Sequence, residues 1–309
     1  MERKIGISTC AMQWKNGDKG ALEVAARTGA VAVDFDTTIA SVGSLKNPNS
    51  IYAKGDSAVI EYYAELKEHA AKLGLEVYQT HGRGDGYTPN DEDNRRRAEE
   101  IRLDLLAAKT LGAKVCVIHT PNNLDCGPWR NPNKELMDRL LDEQLGNALP
   151  YAKEYGVKLA IETNGFVACA PLPVCEYFGY MKNFEAGYRR NAATECGDAL
   201  AVCIDTGHSN LAMPFGNPEP ADIVRALGPN VVAALHMHDN LRGFDEHCLP
   251  LTGFVDFADF FRALDEVGYD GVYNTEVNFN IFGQDFQEET ATFTVQLFRR
   301  MLDRHDGKI

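Results

Sequence analysis

Short β-rich runs alternate with amphipathic helical stretches along the whole chain, and this alternation limits the fold more than any other feature. Strands that alternate with helices build parallel sheets from βα units. Eight such units in 309 residues predict an α/β fold of the (β/α)8 TIM barrel type, which typically needs about 250 residues. The predicted strands are Lys4–Thr9, Ala30–Asp34, Glu76–His81, Lys114–His119, Lys158–Glu162, Leu200–Asp205, Val231–His236 and Gly271–Glu276.

Helical stretches with apolar residues at close to 3.6-residue spacing follow most of these strands. Several of them end in a glycine just before the next strand, as in "KLGLEVY" and "TLGAKVC", and glycine suits a left-handed helix C-cap. The predicted helices are Ala58–Leu73, Asn94–Leu111, Lys134–Tyr155, Ala221–Leu227, Phe257–Val267 and Phe286–Arg304.

The chain is predicted to be a single domain over residues 1–309, because no Pro- or Ser-rich linker and no abrupt change of composition divides it. Its main irregularity is the stretch 166–198, which is too long for a simple loop. We expect a helical insertion or a flap over the strand ends there, with a surface excursion or an oligomer contact as the alternative.

The charge balance argues against a nucleic-acid partner. There are 45 Asp and Glu against 31 Lys and Arg, and a formal charge of −14 repels polyanions. Because the sequence has no bilayer-length apolar run and no cationic-then-apolar leader, we expect no membrane contact and a cytoplasmic location. It also has no GxGxxG after the first strand and no GxxxxGK, so no nucleotide cofactor is expected.

Histidines and carboxylates gather at the predicted strand ends, which a barrel brings together around one mouth. Mixed imidazole and carboxylate sets bind zinc, manganese, cobalt or iron, and buried carboxylates are costly without a cation. The set predicted to bind a metal is Glu162, Asp205, His236 and Glu276. Either further metal ligands or polar substrate contacts are expected at His81, His119, Asp245 and His247.

At these positions the sequence resembles the xylose isomerase-like barrel superfamily, which contains ketose 3-epimerases, inosose dehydratases and endonuclease IV-type enzymes. The most specific pieces are "DTGH" at 205–208, "LHMHDN" at 235–240 and "DEHCLPLTGFVDF" at 245–257. Similarity to the isomerase and epimerase branch implies one divalent ion on the four residues predicted above. It also implies Glu162 and Glu276 as an acid/base pair and His208 as a substrate contact. The other predicted substrate contacts are His81, His119 and the loop residue Arg242.

The resemblance therefore implies a metal-dependent sugar isomerase or epimerase, with proton transfer next to a carbonyl through a metal-stabilised enediolate. The expected cation is manganese, cobalt, magnesium or zinc. The expected partner is a small carbohydrate, and a homo-oligomer is compatible with the resemblance.

Two other enzyme classes remain open. A dehydratase or lyase, of the inosose dehydratase or C-glycoside-cleaving type, would use the same site. An endonuclease IV-like multi-zinc phosphoesterase would need nine ligands, although "IETNGF" and "HMHDN" depart from the pattern of those nucleases. Counterparts of all nine ligands are present, namely His81, His119, Glu162, Asp205, His208, His236, Asp245, His247 and Glu276.

Overall fold

A computed structural model of the protein describes residues 3–123, 126, 130–165 and 174–309, and these form a TIM barrel of eight parallel strands. Each strand pairs with the next one along the chain from β1 to β7, and β8 pairs with β1. A parallel bridge between Met237 and Thr275 joins the ends of β7 and β8. The predicted single-domain (β/α)8 barrel is confirmed. The strands are β1 (Ile5–Ser8), β2 (Ala32–Asp36), β3 (Glu76–His81), β4 (Val115–Ile118), β5 (Lys158–Glu162), β6 (Leu200–Asp205), β7 (Val232–His236) and β8 (Tyr273–Thr275).

Helices cover the outside of the barrel and bury the large hydrophobic core against the strands. Glycines Gly112 and Gly156 end two of them in the left-handed conformation, with φ of 85° and 69°, as the sequence predicts. The described helices are α1 (Cys10–Arg27), α2 (Asp56–Lys72), α3 (Asp91–Leu111), α4 (Lys134–Tyr155), α5 (Met181–Ala192), α6 (Thr206–Ala212), α7 (Pro220–Leu227), α8 (Phe257–Glu266) and α9 (Gln287–His305).

Two helices are absent from the sequence prediction, for two different reasons. Helix α1 passes through the polar stretch "KNGDKG" and is kinked at Gly17, whose φ is 66°, so its apolar periodicity is interrupted. Helix α6 starts directly after β6 and has only seven residues. Its N-cap is Asp205, whose carboxylate accepts a hydrogen bond from the backbone N–H of His208 at 2.6 Å.

The predicted insertion at 166–198 lies partly outside the described residues, which resume at 174. The described part contains α5, which lies between β5 and β6 in the chain and packs on both α4 and β6. This helix therefore occupies the place of the ordinary barrel helix of that unit, and the flap stays a prediction. Among the described residues, no helix combines the length and the apolar character needed to cross a membrane.

The strand period decides which side chains enter the barrel. Small apolar side chains fill its interior and form a cluster of their own, made of Val115, Val117, Ala160, Ala201, Cys203 and Ala234. Because successive side chains of a strand point to opposite faces, the residue two positions beyond Ala160 also points inward. The same holds two positions beyond Cys203 and Ala234. Glu162, Asp205 and His236 therefore share the upper end of the interior.

Candidate active site

Four residues at the ends of β5 to β8 form the inner group of the barrel mouth: Glu162, Asp205, His236 and Glu276. Each offers one atom to a set whose members lie within 4.8 Å of one another. Nδ1 of His236 is 3.1 Å from Oε2 of Glu162 and 3.1 Å from Oε2 of Glu276. Neither contact has hydrogen-bond geometry, and both Nδ1 of His236 and Oε2 of Glu162 are buried without a partner among the described residues.

Buried polar atoms without partners are rare in folded proteins, and each needs an explanation. Two atoms of the inner group are unpaired in this way, Oε2 of Glu162 and Nδ1 of His236, and they come from separate strands and face Oε2 of Glu276. The carboxylate of Asp205, by contrast, already accepts from the backbone N–H of His208 and the ring of His238. A bound divalent cation would give the two unpaired atoms a partner, and carboxylate and imidazole are its usual protein ligands. The inner group therefore fits a divalent metal ion.

The charges around Glu162 favour its ionised form. Burial by itself would raise the pKa of this carboxyl, but the imidazoles of His236 and His119 beside it outweigh burial and hold the pKa well below its usual range. For His236, burial disfavours the charged ring. Cys203 and the carboxylates of Glu276 and Glu162 outweigh that and raise its pKa well above the ordinary value. The carboxylates of Glu162 and Glu276 therefore favour a positive charge between them.

The same oxygen of Glu162 also faces a second pair of histidines. Nε2 of His119 lies 3.3 Å from Oε2 of Glu162, and Nε2 of His81 lies 3.7 Å from it. Nε2 of His119 is also buried without a hydrogen-bond partner among the described residues. His81, His119 and Glu162 form a side group that meets the inner group at a shared carboxylate oxygen.

The outer group of the mouth consists of His208, Asp245 and His247, and its atoms are paired. Oδ2 of Asp245 accepts from Nε2 of both His208 and His247, each at 3.2 Å. Nδ1 of His208 bonds the carbonyl oxygen of Thr163 at 3.1 Å, and Nδ1 of His247 bonds that of Glu276 at 2.7 Å. All four partners are acceptors, so both rings must donate from both nitrogens, which only the imidazolium form does.

The pKa shifts of the outer group follow from this pairing. Burial disfavours the charged rings, but the carboxylates around them prevail. The pKa of His208 is raised well above its ordinary value by Asp205 and Asp245, and Asp245 raises that of His247 to about 10. Burial also works against ionised Asp245, yet His208 and His247 hold the pKa of its carboxyl well below the usual range.

Two buried residues stand behind the inner group. Oδ2 of Asp34, on β2, accepts a hydrogen bond from Nε2 of His236 at 2.9 Å. Nε2 of His238 lies 3.0 Å from Oδ1 of Asp205. The ring of His238 packs directly on Gly207, where a Cβ atom would lie 1.9 Å from Cε1 of the imidazole. Position 207 in "DTGH" therefore needs a glycine, because the ring of His238, 31 positions later in the chain, leaves no room for a side chain.

His238 lies next to the outer group, and its possible ligand atom is within 4.8 Å of those of His208, Asp245 and His247. The orientation of the rings nevertheless argues against a cation shared by all four. The rings of His238 and His247 are stacked, with centroids 3.9 Å apart and planes inclined by 11°. Lone pairs of imidazole lie in the ring plane, so two stacked rings cannot direct them at one ion. We therefore assign His238 to the support of Asp205.

The loop after β7 returns over the barrel mouth and places Asp245 and His247 there. Hydrogen bonds to the carboxylate of Asp239 hold the loop in this shape. The carboxylate of Asp239 accepts from the backbone N–H groups of Gly253 at 2.8 Å and Val255 at 3.1 Å. Asp239 also forms an antiparallel bridge with Cys248. The first nine residues of "DEHCLPLTGFVDF", 245–253, follow the pattern D-x-H-x-x-P-x-x-G, and these hydrogen bonds close them into a loop.

A cavity of about 540 Å³ opens beside the inner group, which is within the size range of small-molecule sites. Glu276 and His247 form one side of it, and residues from the start of α1 and from the loop after β8 form the other. Its lining includes Trp14, Asn278 and Gln284. Space for a small substrate therefore adjoins a carboxylate of the inner group.

Comparison with known proteins agrees with this architecture. The profile of the family described as xylose isomerase-like TIM barrel matches residues 22–299. The chain belongs to this family. An uncharacterized protein of Methanocaldococcus jannaschii is 26% identical over 222 residues, covering 70% of this chain and 68% of that protein.

Solved structures of other proteins share the fold across nearly the whole chain. A D-tagatose 3-epimerase-like protein superimposes with a TM-score of 0.71 at 20% identity, and 99% of each chain is covered. The IolI protein with a bound zinc atom gives 0.70 at 19% identity, covering 99% of this chain and 98% of that one. At these identities the likeness is one of fold.

The structure brings together nine of the ten residues predicted from sequence for the site, in the inner, side and outer groups. The tenth, Arg242, lies beside α6. Its Nε donates to Asn210 at 2.9 Å, its Nη2 contacts the sulfur of Met213 at 3.1 Å, and its guanidinium lies over the ring of Phe254. Its role as a substrate contact stays a prediction.

One contact at the site has no counterpart in the sequence motifs. Asp34 and His236 are 202 residues apart, and no spacing rule connects them. The sequence shows that Asp34 is a carboxylate at the end of a predicted strand, and this places it near the barrel mouth. It does not show which residue Asp34 contacts there.

Proposed function

We propose that this protein is a divalent-metal-dependent isomerase or epimerase that transfers a proton next to the carbonyl of a small carbohydrate. The observation that carries the proposal is the inner group, in which buried atoms of Glu162 and His236 face Glu276 and have no hydrogen-bond partner in the part of the chain that the structure describes. Such a group fits one divalent cation. It would also place the carboxylates of Glu162 and Glu276 close to a substrate bound in the adjoining cavity.

The ligands would be Glu162, Asp205, His236 and Glu276. A cation held there would polarise a substrate carbonyl and stabilise the negative charge that develops on its oxygen. Glu162 and Glu276 extend from different strands, and Nδ1 of His236 is 3.1 Å from each of them. One carboxylate takes the proton from the carbon next to the carbonyl while the C–H electron pair shifts toward that carbonyl. The other carboxyl group would carry a proton at the start of the reaction, give it to the carbon and be left ionised, and the carbon is inverted when this donation comes from the opposite side. Exchange of protons with water would then restore the starting state of both groups.

Other features support a carbohydrate substrate. The cavity beside Glu276 has amide side chains and the exposed indole of Trp14 in its lining, and such groups bind hydroxyl groups and the apolar faces of sugars. A protein of similar fold is named as D-tagatose 3-epimerase-like, and the IolI protein of similar fold holds zinc.

Deuterium exchange tests this proposal without knowledge of the product. The purified protein, loaded in turn with manganese, cobalt, magnesium or zinc, is incubated in D2O with a panel of ketoses, their phosphates and oxidised sugars. We expect NMR to show loss of the C–H signal next to the carbonyl for at least one sugar. Chelated protein is the control and should show none. A protein that holds the cation but exchanges no proton in any sugar would contradict the proposal.

A dehydratase or lyase would also pass this exchange test, because elimination starts with the same proton abstraction. The product separates the classes. An isomer or epimer appears in one case, whereas a dehydrated or cleaved sugar appears in the other.

One observation favours a second candidate, a multi-zinc phosphoesterase. The nine residues fall into three adjacent sets, and two of these sets share Oε2 of Glu162. An ion in the outer group would have to replace its hydrogen bonds, because both ring nitrogens of His208 and of His247 are already bonded to acceptors.

Metal content and hydrolysis distinguish the two candidates. About one ion per chain supports the isomerase, whereas two to three zinc ions with hydrolysis of bis(p-nitrophenyl) phosphate or abasic DNA support the phosphoesterase. The variant His81→Ala should leave the ion count unchanged in the first case and lower it in the second.

A further inference from the structure

Asp34 makes a contact across the barrel that the proposed reaction does not use. It lies on β2, whereas His236 lies on β7, and both side chains are fully buried. Oδ2 of Asp34 is 2.9 Å from Nε2 of His236 in hydrogen-bond geometry. The same oxygen is 3.5 Å from the amide nitrogen of Asn274, and Oδ1 has no partner among the described residues.

We infer that Asp34 is a positioning residue that fixes the tautomer of His236, with the proton on Nε2 and the lone pair on Nδ1. The inference deepens the proposed function and rests on its metal centre. A carboxylate oxygen is a hydrogen-bond acceptor, so the ring nitrogen that faces Oδ2 of Asp34 at 2.9 Å is the one that donates a proton to this contact. A cation bound among the carboxylates would take the place of any proton on Nδ1, which leaves a neutral imidazole with its one N–H on Nε2 and its lone pair on Nδ1.

The rest of the inner group agrees with this assignment. Nδ1 of His236 is the nitrogen that meets Oε2 of Glu162 and Oε2 of Glu276 at 3.1 Å without hydrogen-bond geometry. A carboxylate behind a metal-bound histidine both orients the ring and makes the coordinating nitrogen more basic. Asp34 therefore acts on the cation through His236 and need not touch the substrate.

Asp36 offers a matched control two residues further along the same strand. It is also an aspartate of low exposure, at 6%, and its Oδ1 accepts from the N–H and the hydroxyl of Thr38, both at 2.6 Å. Asp36→Asn removes the same charge from the same strand, but its hydrogen-bonding partner is Thr38 and not a candidate ligand.

The first measurement is made on the wild-type protein and does not depend on a variant that folds. With ¹⁵N-labelled histidine and bound zinc, long-range ¹H–¹⁵N NMR shows which ring nitrogen carries the proton. The signals of His236 are identified by their absence in His236→Gln. We expect the proton on Nε2. A proton on Nδ1 of His236 would overturn the inference.

The second measurement is metal affinity, by competition with a chelating dye. We expect Asp34→Asn to bind zinc or manganese about 10- to 100-fold more weakly, and Asp36→Asn to stay within about twofold of wild type. Circular dichroism checks that each variant is folded. Equal affinities of wild type and Asp34→Asn would also overturn the inference. If the wild-type protein itself binds no divalent cation, the proposed function fails, which is a different result.

Discussion

The inner and outer groups of the barrel mouth contain the same kinds of residue but differ in how their atoms are satisfied. In the outer group, His208 and His247 bond acceptors through both ring nitrogens, and Asp245 accepts from both rings. In the inner group, Nδ1 of His236 and Oε2 of Glu162 are buried and unpaired among the described residues. A cluster of ligand-type side chains is therefore weak support for a metal site by itself, and unpaired acceptor atoms are the stronger sign.

Removing the histidine of the inner group should have the largest effect on metal binding, and without metal the proton exchange is lost as well. We expect His236→Ala to weaken divalent-metal binding by more than about 100-fold, because loss of a ligand should exceed the loss of a residue behind it. Competition titration with a chelating dye measures this. The control is His69→Ala, since His69 lies on α2, outside the barrel mouth, with its Nε2 3.3 Å from Oε1 of Glu23. Unchanged metal affinity in His236→Ala would remove the distinction between the two groups.

Glu276→Gln should separate metal binding from proton transfer. The amide still offers an oxygen to the cation but cannot accept the substrate proton, so we expect proton exchange to fall by about 10²- to 10⁴-fold while most of the metal is retained. Both quantities are measured on one preparation, by NMR exchange in D2O and by elemental analysis. Exchange at the wild-type rate would contradict the assigned role.

Gly207 lies between the inner and outer groups, and a side chain there should destabilise the fold. We expect Gly207→Ala to lower the free energy of unfolding by about 1–3 kcal/mol, because the new methyl group would overlap the buried ring of His238. Urea denaturation measures the change.

The matched glycine is Gly146 in α4, where an added Cβ meets no atom within 4 Å. Gly146→Ala should raise the free energy of unfolding by about 0.5–1 kcal/mol, because alanine is the better helix former. Equal effects at both glycines would mean that the His238 ring does not constrain position 207.

The smallest effect is expected at the outer group. If this group is held by hydrogen bonds, Asp245→Asn should leave the number of metal ions per chain unchanged. Elemental analysis of the unchelated variant beside the wild-type protein measures it. Loss of one ion per chain would show that the outer group also holds metal and would favour the phosphoesterase.

Much of the site was predictable because strand periodicity is local. Inward-facing positions recur every two residues, so the ends of β5, β6 and β7 place Glu162, Asp205 and His236 in the barrel mouth whatever the loops do. The sequence does not predict helices α1 and α6. The glycines and polar residues of α1 interrupt the apolar spacing of a helix, and α6 has only seven residues directly after Asp205.

Local sequence patterns predict the barrel, its mouth and the types of side chain that meet there, because alternation and periodicity depend only on neighbours along the chain. Which of these side chains are paired depends on contacts between distant segments. The bond from Asp34 to His236 spans 202 residues, and the bonds of His208 reach Thr163 and Asp245 on other segments. A hydrogen bond depends on separations near 3 Å between atoms of distant strands, and no local pattern encodes such a distance.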